Sequence, residues 1–318
     1  MELRQSSNKA ILIGKLMDME INTGTTKKGD GWIGVKRIVK SISDGKENEN
    51  EVKLFATDKS KLHKSYSTIA NEYKTAKLVG EENADRIKIE GELIFEKYSS
   101  KKSGKISTSR KIKGVFVNRI DSTDVIDEVG AEVECVVVDS KPELDKDGIE
   151  TGRLEVKLMT VGYGNNIIEF ERTFVNEGLA DVFPTVYNNG DTAKFIFHAF
   201  NYSEAKKDVE EDTSEPTMGF GQGLKNKLST SKNFVNELNI IGGQMPQCEE
   251  GKFYTEEEIA YMKKLIQLKN DELMGELDGT PQTQQQAPQQ NMAFGSGLGT
   301  PAQSPSTPAP IDDEDIPF

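Results

Sequence analysis

The chain has 318 residues, enough for about two domains, with 40 basic and 53 acidic residues and a net charge of −13. No apolar run approaches the ~18 residues of a membrane span, and the polar N-terminus lacks the apolar core of a signal peptide. Two cysteines cannot form a disulfide framework or a four-cysteine zinc site, and two histidines leave little for metal or acid–base chemistry. These features predict a cytoplasmic protein with no membrane contact, no metal and no cofactor.

The net charge conceals a split along the chain. Residues 1–120 hold 25 basic and 16 acidic residues, a net of +9, whereas residues 121–318 have a net of −22. A basic front half and an acidic rear half indicate a polyanion-binding region followed by an acidic tail.

Alternating apolar and polar residues in the first part of the chain predict five strands and one helix. The predicted strands are 10–19, 32–41, 51–56, 86–98 and 110–120, the predicted helix is 62–78, and the longer loops are 22–31 and 99–109. Five strands with a helix between the third and the fourth is the order of an OB-fold barrel. We therefore predict a mainly β protein whose first domain, 1–121, is an OB fold.

The same order recurs further along the chain. Predicted strands 131–138, 152–161, 167–174, 192–202 and 234–241 enclose a short helical segment at 177–186 and a long acidic loop at 203–226. Segments 105–110 and 227–232 both read Lys-x-Ser-Thr-Ser-basic, and a Phe-Val-Asn tripeptide follows each. This echo favours two tandem OB-fold barrels, the second at 130–243. One barrel followed by a different β domain is the alternative.

Three further segments complete the chain. Thr255 and Glu258 form a capping-box pattern before apolar residues at helical spacing, which predicts an amphipathic helix at 254–275. It would dock on the second barrel or serve as a dimerisation helix. Residues 279–310 hold seven Gln and six Pro but no charge, a composition typical of a disordered linker. The tip, 311–318, is acidic and ends in Ile-Pro-Phe.

The candidate binding residues lie on the outward face of the first predicted barrel. Because Ile33 and Val35 take the inward face of their strand, Trp32 and Lys36 point outward, as do Lys53 and Phe55 on the next strand. Aromatic rings stack on bases with little sequence preference, and lysines neutralise phosphates. The flanking loops add Lys27, Lys28, Tyr98, Lys101, Lys102, Lys105 and Arg110. The plainer interpretation is a core tryptophan surrounded by solvated lysines.

The second predicted barrel is acidic, with a net charge of −9 over 130–243. Its outward candidates are Lys157, Met159, Tyr163, Phe200 and Tyr202. These side chains could stack on bases, but the charge argues against strong binding. Spacing, a dimer contact and a weak additional contact with a nucleic acid all remain open. No P-loop, dinucleotide fingerprint, HExxH or GxSxG motif occurs, so we expect no enzyme.

The end of the chain carries a resemblance. Residues Asp312, Asp313, Glu314, Asp315, Ile316, Pro317 and Phe318 resemble the acidic C-terminal tip of bacterial and phage single-stranded DNA-binding proteins. The resemblance implies that OB domains coat single-stranded DNA (ssDNA) while the tip binds replication, recombination and repair proteins. Family members commonly carry one OB domain and form tetramers, and a minority carry two domains per chain and dimerise. A homodimer at replication sites of a bacterial cell or phage-infected host is therefore expected.

Two other functions remain as alternatives at this stage. The chain could be an RNA-binding OB module, against which the Ile-Pro-Phe tip argues. It could also be an adaptor that acts through the tip alone and binds no nucleic acid, against which the basic front half argues.

Overall fold

The computed structural model describes residues 1–100, 103–122, 124–208 and 229–277, with backbone only for 204–208 and 229–233. The first half of the chain consists of strands β1 (Asn8–Thr25), β2 (Gly31–Ser43) and β3 (Lys46–Thr57), helices α1 (Lys61–Glu72) and α2 (Ala76–Val79), a 3-10 turn (Glu81–Asn83), and strands β4 (Arg86–Ser100) and β5 (Lys105–Arg119).

The second half repeats this order with a divided third strand. It consists of β6 (Glu128–Leu144), β7 (Glu150–Val161), a 3-10 turn (Tyr163–Asn165), β8 (Ile167–Phe170), β9 (Thr173–Val175), α3 (Glu177–Ala180), α4 (Phe183–Val186), β10 (Thr192–Asp208), β11 (Ser229–Gly243) and the long helix α5 (Glu256–Leu277). The predicted fold class, mainly β with a C-terminal helix, is confirmed.

Strand pairing closes one ring in each half. In the first ring β1 pairs with β2 and β4, β2 with β3, and β4 with β5, all antiparallel, while a short parallel pairing of β3 with β5 completes the circle. In the second ring β6, β7, β9, β11 and β10 follow one another in the same way, again with one parallel step, from β9 to β11. Each ring has the strand order of an OB fold.

The two rings share a sheet and a core. β1 pairs antiparallel with β6, from Asn8–Val133 to Ile13–Glu128, so all eleven strands belong to one continuous sheet. One buried apolar cluster runs from Leu12 in the first ring to Phe197 in the second. The β2–β3 hairpin also contacts β10, since Ser43 Oγ lies 2.7 Å from His198 Nε2.

Helix α5 docks on the outside of the second ring. Its capping box forms, with Thr255 N–H donating to Glu258 at 2.8 Å and Glu258 N–H donating to Thr255 Oγ1 at 3.3 Å. Met262 is fully buried against Met159 and other apolar side chains of β6 and β7. The helix thus covers an outer face of the second ring, and it also contacts β4 of the first, where Lys97 Nζ donates to Asn270 at 3.3 Å and Ser99 Oγ donates to Glu276 at 2.6 Å.

Several predicted loops are shorter than expected because polar segments pair as strands. The predicted loop 99–109 is the end of a β4–β5 hairpin, in which Tyr98 pairs with Ser107 and Ser100 with Lys105. Gly104 adopts φ 62° at the hairpin turn, a left-handed conformation that glycine tolerates. Likewise the predicted loop 22–31 contracts to a turn after Thr25, and predicted strand 167–174 divides at Arg172, whose φ is 53°.

No helix among the residues that the structure describes is long and apolar enough to span a membrane. No group of three or more His, Cys, Asp or Glu side chains there could hold a metal ion.

Candidate nucleic-acid interface

Outward-facing side chains from four strands of the first ring form one surface, which we call the outer face. β2 contributes Trp32 and Lys36, β3 contributes Glu51, Lys53 and Phe55, β4 contributes Glu92, Glu96 and Tyr98, and β5 contributes Lys105, Lys111 and Lys113. The alternation follows from the buried residues between them, such as Val35, Val52 and Leu93, which fill the ring.

Trp32 and Phe55 form an aromatic pair on this face. Their rings stack with centroids 5.7 Å apart and an angle of 26° between planes, and both are half-buried. Two glycines make room for the indole: a Cβ on Gly24 would lie 2.8 Å from indole atoms, and one on Gly34 would lie 3.3 Å away. Trp32 therefore lies flat on the sheet, and its Nε1 has no hydrogen-bond partner in the described part of the chain.

Lysines and glutamates alternate in a chain of ion pairs beside the aromatic pair. Lys36 Nζ lies 3.0 Å from Glu51, which is also 3.3 Å from Lys111. Lys111 lies 2.8 Å from Glu96, and Lys53 donates to Glu96 at 3.0 Å. Three ammonium groups thus share two carboxylates. The binding residues predicted from the sequence included lysines of this face but not the two glutamates that pair with them.

These pairs shift the pKa of both carboxyls downward. Burial by itself would raise the pKa of Glu51, but the ammonium groups of Lys36 and Lys111 outweigh burial and lower it. Burial opposes ionisation of Glu96 in the same way, and Lys111 and Lys53 lower its pKa. Both groups are therefore charged at neutral pH, and the lysines are held along the face.

The other predicted residues of the first half fall into three places. Lys27 and Lys28 are exposed at the tip of the β1–β2 hairpin, close in sequence to Trp32. Tyr98, which is 49% exposed, and Lys105 lie on the β4–β5 hairpin. Lys101 and Lys102 lie outside the described residues.

Arg110 faces the other way, toward the second half of the chain. Its guanidinium donates to the carbonyl oxygens of Glu237, at 2.6 Å, and Phe200, at 2.7 Å. Burial lowers the pKa of Arg110 to about 10, and the charge of Glu237 opposes that shift. The observed bonds make Arg110 a link between the β4–β5 hairpin and strands β10 and β11, whereas its predicted contact with phosphate stays a prediction.

The outward candidates of the second half are dispersed. Met159 is fully buried under α5, which removes it from any binding surface. Tyr163 is 64% exposed and Lys157 is exposed as well, while Phe200 and Tyr202 are half-buried. His198, Phe200 and Tyr202 form a row of rings along β10, with centroids 4.4 and 6.1 Å apart. The predicted linker and tip lie outside the described residues.

Sequence reasoning missed Lys111 and Lys113, although a signal for them was present. The series Lys105, Ser107, Ser109, Lys111 and Lys113 has a period of two, which puts all five side chains on one face of β5. The parallel pairing of Lys53 with Lys113 then brings this face next to β3. The outer face thus combines stacking rings, an exposed tyrosine and five lysines with three acids.

The fold and this face define a mainly β protein of two OB-ordered rings with one aromatic, lysine-rich outer surface. The chain belongs to the YorF family, whose model matches residues 6–276. No curated protein matches it.

Among solved structures, the chain is similar to the single-stranded DNA-binding protein from Thermus aquaticus, with 12% identity, a TM-score of 0.46, and coverage of 79% of this chain and 98% of that one. A deletion mutant of the same protein gives 13% identity, a TM-score of 0.44, and coverage of 80% and 100%. The Plasmodium falciparum SSB in complex with ssDNA gives 15% identity, a TM-score of 0.26, and coverage of 38% and 100%.

Proposed function

We propose that the chain is a non-enzymatic protein that binds ssDNA on the outer face of its first ring, without strong sequence preference. The observation that carries this proposal is the stacked, half-buried Trp32–Phe55 pair on the same face as five lysines. Bases are free to stack on protein rings only when they are unpaired, and each such stack is worth about 1–3 kcal/mol. The pattern therefore favours a single strand over a duplex.

The ion-pair chain supports the same function. Lys36 and Lys53 keep 45% and 43% of their side chains exposed while each contacts a glutamate. A phosphate can take the place of the carboxylate as their partner without either lysine having to move far. Because the lysines of this chain would neutralise phosphates and release their counterions, we expect affinity to fall as the salt concentration rises.

Titration with oligo(dT) of graded length, followed by the fluorescence of Trp32, tests this proposal. Trp32 is the only tryptophan, so stacking on the outer face should quench nearly all of the signal, and the length at which affinity levels off gives the site size. Lys36→Gln should weaken binding, whereas Lys64→Gln, on exposed α1 surface, should not. Absence of binding at low salt would refute the proposal. Tighter binding to structured RNA than to oligo(dT) would favour the RNA alternative.

We further propose that the tip, 311–318, binds replication, recombination and repair proteins. The tip joins the apolar residues Ile316, Pro317 and Phe318 to four acidic ones, which suits capture by an apolar pocket with basic walls, and the acids 312–315 would speed the encounter. Deleting 311–318 should abolish capture of these proteins and leave ssDNA affinity equal or somewhat higher. A sharp loss of ssDNA affinity would show that the tip belongs to the DNA site.

We also propose an assembly and a location for this protein. A homodimer acting at replication sites in the cytoplasm of a bacterial or phage-infected cell agrees with two OB domains per chain, 1–121 and 130–243. Sedimentation equilibrium of the full chain gives the assembly directly, and a monomer at micromolar concentration would contradict it.

A further inference from the structure

A pocket of about 260 Å³ opens on the outer face immediately beside Phe55. It forms where the parallel pairing of β3 with β5 stops after Lys53 and Lys113, and the first turns of α1 close the gap between the two strands. A bulge at Val115 widens the gap, because Gly91 pairs with Gly114 while Glu90 pairs with Phe116.

Part of the wall of this pocket is apolar. Phe55, Leu62 and Val115 line it. Tyr66 lines it from α1 with 1% of its surface exposed, and its hydroxyl donates to the Val115 carbonyl at 3.0 Å. That bond uses the hydroxyl, so Tyr66 presents mainly its ring. A flat apolar slot next to a stacking aromatic is suited to a planar ring.

The charged groups of the pocket are Glu92 and Lys113, directly opposite each other on β4 and β5, and Thr57 and Ser60 also line it. Neither of the two charged side chains makes a hydrogen bond or an ion pair with any residue in the described ranges. Burial lowers the pKa of Lys113, and the charge of Glu92 opposes that shift. The pocket thus offers an ammonium donor and a carboxylate acceptor that make no hydrogen bond to the rest of the described chain and do not belong to the ion-pair chain.

We propose that this pocket takes one base of the bound strand and favours cytosine over thymine there, an inference that rests on the proposed function. The exocyclic amino group of cytosine can donate to Glu92, and its neighbouring ring acceptors can accept from Lys113. In the same orientation thymine presents a carbonyl oxygen where cytosine has the amino group and an N3–H donor where cytosine has a ring acceptor. An acceptor then faces the Glu92 carboxylate and a donor faces the Lys113 ammonium, so both contacts are lost. Apart from the 5-methyl group of thymine the two bases have the same size, so hydrogen bonding to these two side chains is the main difference between them.

The test compares labelled oligo(dC) and oligo(dT) of one length with the full chain, by fluorescence anisotropy at a mildly alkaline pH where cytosine is uncharged. In the natural protein the ratio of the two Kd values should favour oligo(dC). Glu92→Met and Lys113→Met should each reduce this ratio by about fivefold or more, the lower end of the discrimination that a good base contact supplies. Glu72→Met, which removes the same charge from exposed α1 surface outside the pocket, should leave the ratio unchanged.

A change on the ligand keeps the test independent of folding. An oligonucleotide of 2-pyrimidinone, which lacks the amino group, should lose the advantage of cytosine in the natural protein and lose nothing further in Glu92→Met. Equal binding of 2-pyrimidinone and cytosine oligonucleotides, or a ratio that Glu92→Met does not alter, would overturn the assignment while leaving ssDNA binding intact. Failure of the natural protein to bind either homopolymer would instead refute the proposed function.

Discussion

Replacing Arg37 by methionine should stabilise the protein. Arg37 is on β2 with its side chain inside the first ring, 0% exposed, and none of its three guanidinium nitrogens has a hydrogen-bond partner among the residues that the structure describes. Its guanidinium carbon lies 6.0 Å from the centre of the Tyr73 ring. A buried cation without a partner is destabilising, because hydration is lost and nothing replaces it.

The size of this penalty follows from the pKa. Burial lowers the pKa of Arg37 to about 10, with Tyr73 and Tyr66 opposing the shift. The fall from the ordinary value of arginine corresponds to roughly 3 kcal/mol of destabilisation of the charged form. Loss of the contact with Tyr73 offsets about 0.5–1 kcal/mol of the gain. Arg37→Met should therefore raise the free energy of unfolding by about 2 kcal/mol.

The sign of the pH dependence follows as well. The folded state holds this proton less tightly than the unfolded state does, so the penalty is complete below about pH 10 and is relieved as the pH rises from there toward the unfolded pKa. The advantage of Arg37→Met over the natural protein should shrink over that window.

Urea unfolding of both proteins, followed by circular dichroism, measures the change. Arg119→Met is the matched control, because Arg119 lies 4.5 Å from the same Tyr73 ring but also pairs with Asp85 at 3.1 Å and donates to the Glu72 carbonyl at 2.9 Å. Arg119→Met should lower the free energy of unfolding by about 1 kcal/mol. If Arg37→Met were destabilised like the control, Arg37 would have a bonding partner in solution and the reasoning would be refuted.

Three other outcomes can be checked directly. Trp32→Ala should weaken binding of labelled oligo(dT) by about 1–3 kcal/mol, and an unchanged Kd in a folded variant would remove the ring from the interface. Raising the salt concentration should weaken binding with a log–log slope of about −0.7 per phosphate contacted. Lys53→Gln, which removes an exposed ammonium group, should make the slope shallower by about one contact, and a slope near zero in the natural protein would exclude phosphate contacts. Glu51→Gln should destabilise the protein at neutral pH but not in acid. The pKa of Glu51 is lower in the folded state than in the unfolded state, so its charge stabilises the fold above the unfolded pKa, and this contribution is lost as the pH falls through the folded pKa. Urea midpoints of the variant and the natural protein that differ equally at both pH values would contradict this.

Local alternation was enough to predict which side chains of β2 and β3 point outward. Val52 and Leu54 fill the ring, so Lys53 and Phe55 face out. The same rule locates Lys111 and Lys113 on β5, but only strand pairing shows that this strand lies next to β3 and brings Glu96 between the lysines. That pairing joins residues about sixty positions apart, and the alternation of apolar and polar residues within a strand cannot predict it.

Arg110 illustrates the opposite limit. Its place in a basic, serine-rich segment indicated a loop that reaches for phosphate, yet the segment pairs as a hairpin and Arg110 occupies its inner face. The inner face of a strand normally packs within its own ring, but here the hairpin extends beyond the first ring and contacts β10 and β11. A sequence pattern predicts which side of a strand a residue occupies, but it does not predict how far the strand extends beyond its own ring.

The N-terminal segment has a consequence for how the chain folds. Tyr254 donates its hydroxyl to the Arg4 carbonyl at 2.6 Å and lies 2.8 Å from Ser6 Oγ, so side chains 248 positions apart meet at one point. Leu3 is buried in the same cluster as Met262 of α5. Ser6 is therefore synthesised 248 positions before its partner Tyr254, and its segment has to wait until that length of chain has emerged. Contacts of such long separation make folding slow and prolong the exposure of apolar surface in the growing chain.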